Sequence, residues 1–346
     1  MTIAGHLIGD GRRTFVIAEA GVNHNGCVET ALRMVDEAAS AGADAVKFQM
    51  FRAAELVTGA APPAAYQRGF GHAESQRAML AKLELPASSF QTIRKHCDER
   101  GILFLATPFG RTELDMLLAV DPPAIKIAST DLVDHQLLRA AAATGLPVIL
   151  STGAATEAEI RQAVEWLREL GAGPRLILLH CVSCYPTPIE ALNLRAVRTL
   201  GRLFGVPVGL SDHTTSVQVG AWAVAAGAGV LEKHFTLDRA ACGPDHAMSL
   251  EPMALAEYVR NVRALEAALG SGRLGAAEIE ADVREAARKS IVSAATIPAG
   301  TVLSAEELTL RRPGSGIAPG DWDRVIGRRA AVDIPGDTTL TWDMLK

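Results

Sequence analysis

The sequence predicts a (β/α)8 TIM barrel followed by a small all-β domain. The first observation is a set of eight short apolar runs bounded by turn residues: "FVIAEAG", "AVKFQ", "LFLATP", "AIKIAS", "VILSTG", "LILLHC", "PVGLSD" and "GVLEKHF". The second is that helix-like segments separate these runs, and several of them end in glycine, as helix C-termini do. Alternation of strand and helix implies a parallel sheet, and eight repeats fit a closed barrel better than an open doubly wound sheet, which remains the structural alternative.

The third observation is a change in composition near residue 270, which sets the predicted domain boundaries. Residues 1–270 hold the eight runs and form the barrel. Residues 271–288, "SGRLGAAEIEADVREAAR", are charged and helical and form a linker. Residues 289–346 contain short β-like runs separated by turns rich in proline and glycine, which is typical of a small all-β module.

Composition and charge exclude several classes of protein. The net charge is -5 and the lysines and arginines are scattered, so no surface for nucleic acid or anionic lipid is expected. The N-terminus lacks the charged start and apolar core of a signal peptide, and no apolar run reaches the roughly 18 residues that span a bilayer, so a cytoplasmic location is expected. The five cysteines are an odd number, which argues against a disulfide framework and predicts reduced thiols.

Polar side chains close all eight apolar runs. In a TIM barrel the active site is built where strands end and βα loops begin, so these side chains are expected to meet at one face. A lone serine there is usually a helix N-cap and a lone histidine is more often structural, but the joint occurrence, with lysines that are costly to bury unpaired, predicts an anionic ligand. The residues are Glu19, Lys47, Gln49, Thr107, Lys126, Ser129, Ser151, His180, Ser183, Tyr185, Ser211, His213, Lys233 and His234.

Two kinds of chemistry follow from these residue types. His213 and His234 end the last two runs, which are neighbours in a barrel, so they could share one divalent ion and leave positions open for water and substrate. Ammonium groups supply charge and hydroxyls supply directed donors, and together these can bind a phosphate and a carboxylate. The residues available for anion binding are Lys47, Lys126, Ser129, Ser151 and Ser211.

Nine short segments, taken in their order along the chain, resemble those of a known family. They are "IAEAGVNHNG", "AGADAVKFQ", "LATPF", "ILSTG", "LLHC", "CYPTP", "GLSDHT", "EKHFTLD" and "GPDHAMSLEP". Together they closely resemble the sialic acid synthase family, which also includes the legionaminic and pseudaminic acid synthases, and the resemblance covers nearly the whole chain. The tail from Lys289, with "RRPGSGI", resembles the antifreeze-like (SAF) domain that this family carries after its barrel. The resemblance implies condensation of phosphoenolpyruvate with an open-chain N-acylated mannosamine-type sugar, giving a nine-carbon 2-keto acid and phosphate.

The resemblance also implies roles for individual residues. His213 and His234 would bind a manganese-like ion, with Mg²⁺ or Co²⁺ as alternatives, that polarises the sugar aldehyde. Glu19 would orient or deprotonate a water, and Asp131 would be a second catalytic carboxylate. The positions that bind phosphoenolpyruvate would be Lys47, Thr107, Lys126, Ser129, Ser151, Ser183 and Ser211. The positions that bind the sugar would be Gln49, Tyr185, Asp245 and Arg312.

Two positions depart from the family pattern. Thr130-Asp131 stands where Gly-Glu is usual, which shortens a carboxylate, and Ser183-Cys184 lacks an asparagine that many members place at one of the two positions. Residues 55–70, "ELVTGAAPPAAYQRGF", either tune sugar specificity or form plain surface. The resemblance implies a domain-swapped homodimer in which Arg312 caps the barrel of the other subunit.

Two other functions remain open at this point. A metal-dependent aldolase would cleave a keto acid without phosphoenolpyruvate, and phosphate release separates it from a synthase. A non-catalytic sugar-binding protein would not need Glu19 together with lysines and histidines at one face. The natural sugar could be N-acetylmannosamine, a 6-deoxy diacetamido sugar or an altrose-type precursor, and the segments "GVNHNG", "FQMF" and "GPDHAMSLEP" favour the sialic or legionaminic branch.

Overall fold

The structure is a computed structural model that describes residues 1–62 and 75–346. Its contacts divide the chain into two compact units, Met1–Gly270 and Ser271–Lys346. Within the described ranges, no helix is long and apolar enough to cross a membrane.

The first unit is built on eight parallel strands. A short antiparallel hairpin precedes them, made of β1 (Thr2–Ile3) and β2 (His6–Leu7). The parallel strands are β3 (Phe15–Gly21), β4 (Ala45–Met50), β5 (Leu103–Pro108), β6 (Ile125–Ile127), β7 (Val148–Ser151), β8 (Leu176–Cys181), β9 (Val208–Asp212) and β10 (Val230–His234). They pair in the order β5-β4-β3-β10-β9-β8-β7-β6, and β5 lies against β6, so the ring is nearly closed. Each predicted run coincides with one of these strands to within a few residues, which confirms the TIM barrel and rules out the open sheet.

Helices connect the strands, and most of them cover the outer face of the barrel. They are α1 (Val28–Ser40), α2 (Ala53–Leu56), α3 (Gln76–Ala81), α4 (Ala87–Arg100), α5 (Arg111–Leu118), α6 (His135–Ala143), α7 (Glu157–Glu169), α8 (Arg195–Phe204), α9 (Val219–Ala225) and α10 (Pro252–Leu269). In α1 the buried residues Ala31, Met34, Val35 and Ala38 recur at the spacing of one helical face. The start of α7 is fixed by a capping box, in which Thr156 N–H donates to Glu159 Oε2 over 2.7 Å.

Apolar side chains fill the barrel at the N-terminal ends of its strands. This layer consists of Phe15, Ile17, Ala45, Leu105, Ala124, Ile149, Ile177, Leu179 and Val230. Ile3 in β1 and Ile8 just after β2 pack against the same layer. The hairpin was not predicted, because two-residue strands carry too little periodicity to be recognised. Since one end of the barrel is filled in this way, ligands can enter only at the C-terminal ends of the strands.

The second unit is a small domain with an antiparallel pair of strands, β11 (Ser290–Ser293) and β12 (Leu308–Arg311). Its own core contains Ile291, Ile297, Leu303, Ile317, Val325, Ile334 and Leu340. Two short helices belong to it, α11 (Ala281–Ala287) and α12 (Trp322–Val325). The segment predicted as a linker groups with this unit, and the Gly314 N–H donates to the Glu285 carbonyl over 2.7 Å.

Candidate active site

A polar layer lies directly above the apolar layer of the barrel. Side chains of a strand alternate between its two faces, so a residue two positions after an inward apolar residue also points inward. Ile17 is followed in this way by Glu19, Leu105 by Thr107, and Ile149 by Ser151. These side chains open into a cavity of about 450 Å³. The predicted site residues that line it are Glu19, Lys47, Gln49, Thr107, Lys126, Ser129, Asp131, Ser151, Tyr185, Ser211, His213, His234 and Asp245.

Glu19 and Lys47 form a buried ion pair on the neighbouring strands β3 and β4. Lys47 Nζ lies 2.8 Å from Glu19 Oε2 and donates to Thr107 Oγ1 over 2.9 Å. Burial raises the pKa of Glu19 to about 7, against the lowering effect of Lys47. Burial lowers the pKa of Lys47, but the nearby carboxylates outweigh it and the net shift is upward. At neutral pH Glu19 can therefore either accept or give up a proton, as a general acid or base must.

Glu232 is a site residue that sequence reasoning missed. Its Oε1 accepts from Ser211 Oγ over 2.9 Å, and its Oε2 lies 3.7 Å from Lys47 Nζ and 3.9 Å from Lys126 Nζ. Burial raises the pKa of Glu232, but the two lysines outweigh it and hold that pKa below its usual value. The sequence does contain a signal for this residue. Glu232 lies two residues before His234 in the same strand, so both side chains must point to the same face.

The opposite wall of the cavity carries hydrogen-bond donors that protein acceptors do not fully use. Lys126 Nζ donates to the Ile127 carbonyl over 2.9 Å, and Ser151 Oγ is buried with no hydrogen-bond partner among the residues that the structure describes. Ser129 Oγ lies 3.4 Å from the Oγ of Ser183, a predicted site residue that is exposed and does not itself line the cavity. A side chain at Gly153 would come within 2.5 Å of Ser183 Oγ, so only glycine fits beside these hydroxyls. Burial lowers the pKa of Lys126. This wall is suited to bind the oxygens of an anion.

The two histidines face each other across the ends of β9 and β10. Their ring centroids are 5.4 Å apart, and His213 Nδ1 donates to the Val182 carbonyl over 2.8 Å. That bond leaves Nε2 of His213 free to act as a ligand. Burial lowers the pKa of both histidines, so the neutral imidazole that binds metals is the favoured form. His234 Nδ1 is buried without a hydrogen-bond partner in the described part of the chain, which also fits a metal-binding role.

The predicted sugar-binding residues are divided between the two units. Gln49, Tyr185 and Asp245 line the barrel cavity, where the Tyr185 ring centroid lies 4.4 Å from that of His213. Asp245 Oδ2 is 3.9 Å from His234 Nδ1, and burial raises the pKa of Asp245 to about 6. Arg312 belongs to the second unit and is exposed there. Leu56 and Val57, from the first part of the loop 55–70, also line the cavity, whereas its residues 63–70 lie outside the described residues.

Two of the polar residues that close the apolar runs point away from the cavity. Lys233 is fully buried between the strands and the helices, with Nζ 3.0 Å from Asp212 Oδ2. His180 Nε2 hydrogen-bonds to the Leu192 carbonyl over 2.7 Å. Both residues are adjacent in sequence to side chains that face into the barrel, so their own side chains face outward. A position at a strand end is therefore not enough to place a residue in the cavity.

Asp131 lies at the cavity wall with one oxygen unsatisfied. Asp131 Oδ2 is buried and has no hydrogen-bond partner within residues 1–62 and 75–346. Burial and the nearby charge of Asp134 raise the pKa of Asp131 to about 6. The ionised side chain therefore lowers the stability of the folded protein at neutral pH.

We expect Asp131→Asn to stabilise the protein at pH 7.5 and to do so less at pH 4.5. The folded state holds the Asp131 proton more tightly than the unfolded state, so its ionisation costs free energy that grows between about pH 4 and 6. Asparagine removes this cost, which we place at about 1–2 kcal/mol. Thermal unfolding at the two pH values measures it, with exposed Asp282→Asn as the control. If the variant and the wild type differ in unfolding temperature by the same amount at both pH values, ionisation of Asp131 does not destabilise the folded protein.

The fold and the cavity together define a TIM-barrel enzyme whose active site lies at the C-terminal ends of the strands. The chain belongs to the NeuB family, whose model matches residues 34–274, and the SAF domain model matches residues 288–346. The resemblance to the sialic acid synthase family is thereby confirmed.

Known relatives extend over nearly the whole chain. The N,N'-diacetyllegionaminic acid synthase of Legionella pneumophila is 37% identical over 342 residues, which cover 98% of this chain and 96% of the relative. The human N-acetylneuraminate-9-phosphate synthase is 32% identical over 343 residues, which cover 99% of this chain and 95% of the relative. The crystal structure of N-acetylneuraminic acid (sialic acid) synthetase from Leptospira borgpetersenii has 37% identity and a TM-score of 0.73, and the match covers 82% of this chain and 94% of that one.

Proposed function

We propose that this protein condenses phosphoenolpyruvate with the open-chain form of an N-acylated mannosamine-type sugar. C3 of phosphoenolpyruvate forms a bond to the aldehyde carbon, water adds to C2, and the C2–O bond to phosphate breaks. The products are a nine-carbon 2-keto acid and phosphate. The observation that carries the proposal is the pair of buried lysines, Lys47 and Lys126, in one cavity with Glu19 and the two histidines.

The phosphoenolpyruvate site is proposed at the lysine and serine wall. Lys47, Lys126 and the unpaired hydroxyl of Ser151 supply charge and directed donors for a phosphate and a carboxylate. We propose that further hydroxyls contribute, those of Thr107, Ser129, Ser183 and Ser211. Glu19 and Glu232 already compensate the lysine charges in the empty site, so the support for an anionic substrate is that the ammonium groups and hydroxyls converge on one cavity as charged and directed donors.

A divalent metal is proposed at His213 and His234. The ion, most simply Mn²⁺, would act as a Lewis acid that polarises the aldehyde of the sugar. Both imidazoles are held neutral by burial, and His213 is oriented by its bond to the Val182 carbonyl.

Glu19 is proposed as the group that handles the attacking water. The attack on the aldehyde leaves positive charge at C2, which water must quench before phosphate can leave. Glu19 is a buried carboxylate with a pKa of about 7, and its partner Lys47 holds it at the cavity wall. It can therefore orient the water and accept its proton at neutral pH.

A panel of aldehyde sugars, assayed for phosphate release from phosphoenolpyruvate, tests the proposal. The barrel residues that we propose to bind these sugars are Gln49, Tyr185 and Asp245. The panel should include N-acetylmannosamine, the 6-deoxy diacetamido sugar and the altrose-type precursor. The first two come first because a sialic acid synthetase and a legionaminic acid synthase are each 37% identical. Keto-acid cleavage without phosphate release would instead identify an aldolase, and binding without turnover would identify a sugar-binding protein.

Arg312 is proposed to complete the site of a second subunit in a homodimer. It is an exposed arginine of the SAF unit, and the legionaminic acid synthase named above matches 98% of this chain, so that similarity extends over both units. Arg312→Ala and His213→Ala, unfolded and refolded together, should then regain activity, because about a quarter of all sites in random pairs would be complete. Activity no greater than that of the separate variants would show that Arg312 does not act across subunits.

A further inference from the structure

The carboxylate of Glu232 lies between the two lysines of the proposed anion site. Its Oε1 is held by the Ser211 hydroxyl at 2.9 Å. Its Oε2 lies 3.7 Å from Lys47 Nζ and 3.9 Å from Lys126 Nζ, and it has no hydrogen-bond partner among the described residues. The side chain is 5% exposed and belongs to β10, so it cannot turn away into solvent.

In this geometry the carboxylate of Glu232 repels any anion that binds to the lysines. An incoming oxygen can approach each ammonium group to ordinary hydrogen-bond distance, which is closer than Glu232 Oε2 comes. The carboxylate then remains as a fixed negative charge a few ångströms from the ligand, in a site that water screens poorly. Glu232 thus keeps the lysine charges compensated when the site is empty and repels the ligand when it is filled.

We propose that Glu232 is a fixed counterion of Lys47 and Lys126 that limits anion affinity and so speeds the release of phosphate. The proposal rests on the proposed function, because it places phosphoenolpyruvate and the product phosphate at the same lysines. It differs from a purely structural role in the sign of its effect. A structural counterion would weaken anion binding when removed, whereas a counterion that opposes the ligand would strengthen it.

Glu232→Gln should bind inorganic phosphate and phosphoenolpyruvate about tenfold more tightly than the wild-type protein. Titration calorimetry on the full-length protein in EDTA measures both dissociation constants without metal or turnover. In steady state the KM for phosphoenolpyruvate and the inhibition constant of phosphate should fall, kcat should fall as product release slows, and the KM for sugar should stay constant. Glu165→Gln, an exposed change on α7, is the charge-matched control and should leave both dissociation constants unchanged.

Two further variants keep the test decisive. Glu232→Met removes the charge without adding an amide donor, so it should shift phosphate affinity in the same direction and show that charge is the cause. If Glu232→Gln does not fold, Glu232→Asp should give the same direction with a smaller factor, since its carboxylate is withdrawn from both lysines. Equal or weaker phosphate binding by the folded variants overturns the proposal. Tighter phosphate binding with no binding of phosphoenolpyruvate by any form would support Glu232 as the counterion and overturn the proposed function instead.

Discussion

His213→Ala and His234→Ala are each expected to lose turnover to below about one hundredth of the wild-type rate at low Mn²⁺. These two imidazoles are the only protein ligands in the proposed metal site, and the described residues contain no cluster of three or more metal-binding side chains that could replace them. Losing one should therefore remove most of the affinity for the ion. EDTA should abolish the wild-type activity and Mn²⁺ should restore it. Electron paramagnetic resonance of free Mn²⁺, recorded without substrates, measures the loss of binding independently of catalysis.

His180→Asn is the matched control for the metal experiment. His180 belongs to the neighbouring strand β8, but its ring hydrogen-bonds to the Leu192 carbonyl on the far side of the strand. Its removal should leave the affinity for Mn²⁺ unchanged, even if stability falls. Full activity of His213→Ala in buffer stripped of metal would remove the ion from the mechanism.

The barrel could be predicted from the sequence because its strands are buried on both faces. Such strands appear as continuous apolar runs, and all eight coincide with runs found in the sequence, several to the residue, as with Leu103–Pro108 and Leu176–Cys181. The hairpin at residues 2–7 could not be found in this way, since its strands are too short for any pattern. It is recognisable only from the contacts that Ile3 makes inside the barrel.

The sequence predicts the site less completely than the fold, because a position at a strand end does not say which face of the strand a side chain occupies. Lys233 closes a run but pairs with Asp212 outside the cavity, whereas Glu232, one residue earlier, faces both site lysines. Alternation along β10 from His234 would have separated the two. The pKa of Glu19 had no sequence signal, since it depends on burial and on charges from β4 and β10 that only the folded barrel brings together.

Lys126→Met is expected to raise the KM for phosphoenolpyruvate by about 10- to 100-fold while the KM for sugar changes by less than about twofold. The Lys126 ammonium group is buried at the cavity wall and donates to the Ile127 carbonyl over 2.9 Å, which leaves further N–H donors for an anion that approaches more closely than Glu232 does at 3.9 Å. A charge-assisted hydrogen bond contributes about 1.5–3 kcal/mol, which corresponds to that range of affinity. Methionine preserves most of the volume, so the change reports the charge and not a cavity.

Lys233→Met provides the contrast, since it removes a lysine that is equally buried but faces away from the cavity. Its ion pair with Asp212 would be broken, leaving a buried carboxylate without its partner, so the midpoint of thermal unfolding should fall. The ratio of the two KM values should not move. If Lys126→Met instead raises the KM for sugar and leaves that for phosphoenolpyruvate unchanged, Lys126 binds the sugar and the anion must lie elsewhere. If both lysine variants change the two KM values alike, the effect of Lys126 comes from the packing of the barrel and not from contact with the anion.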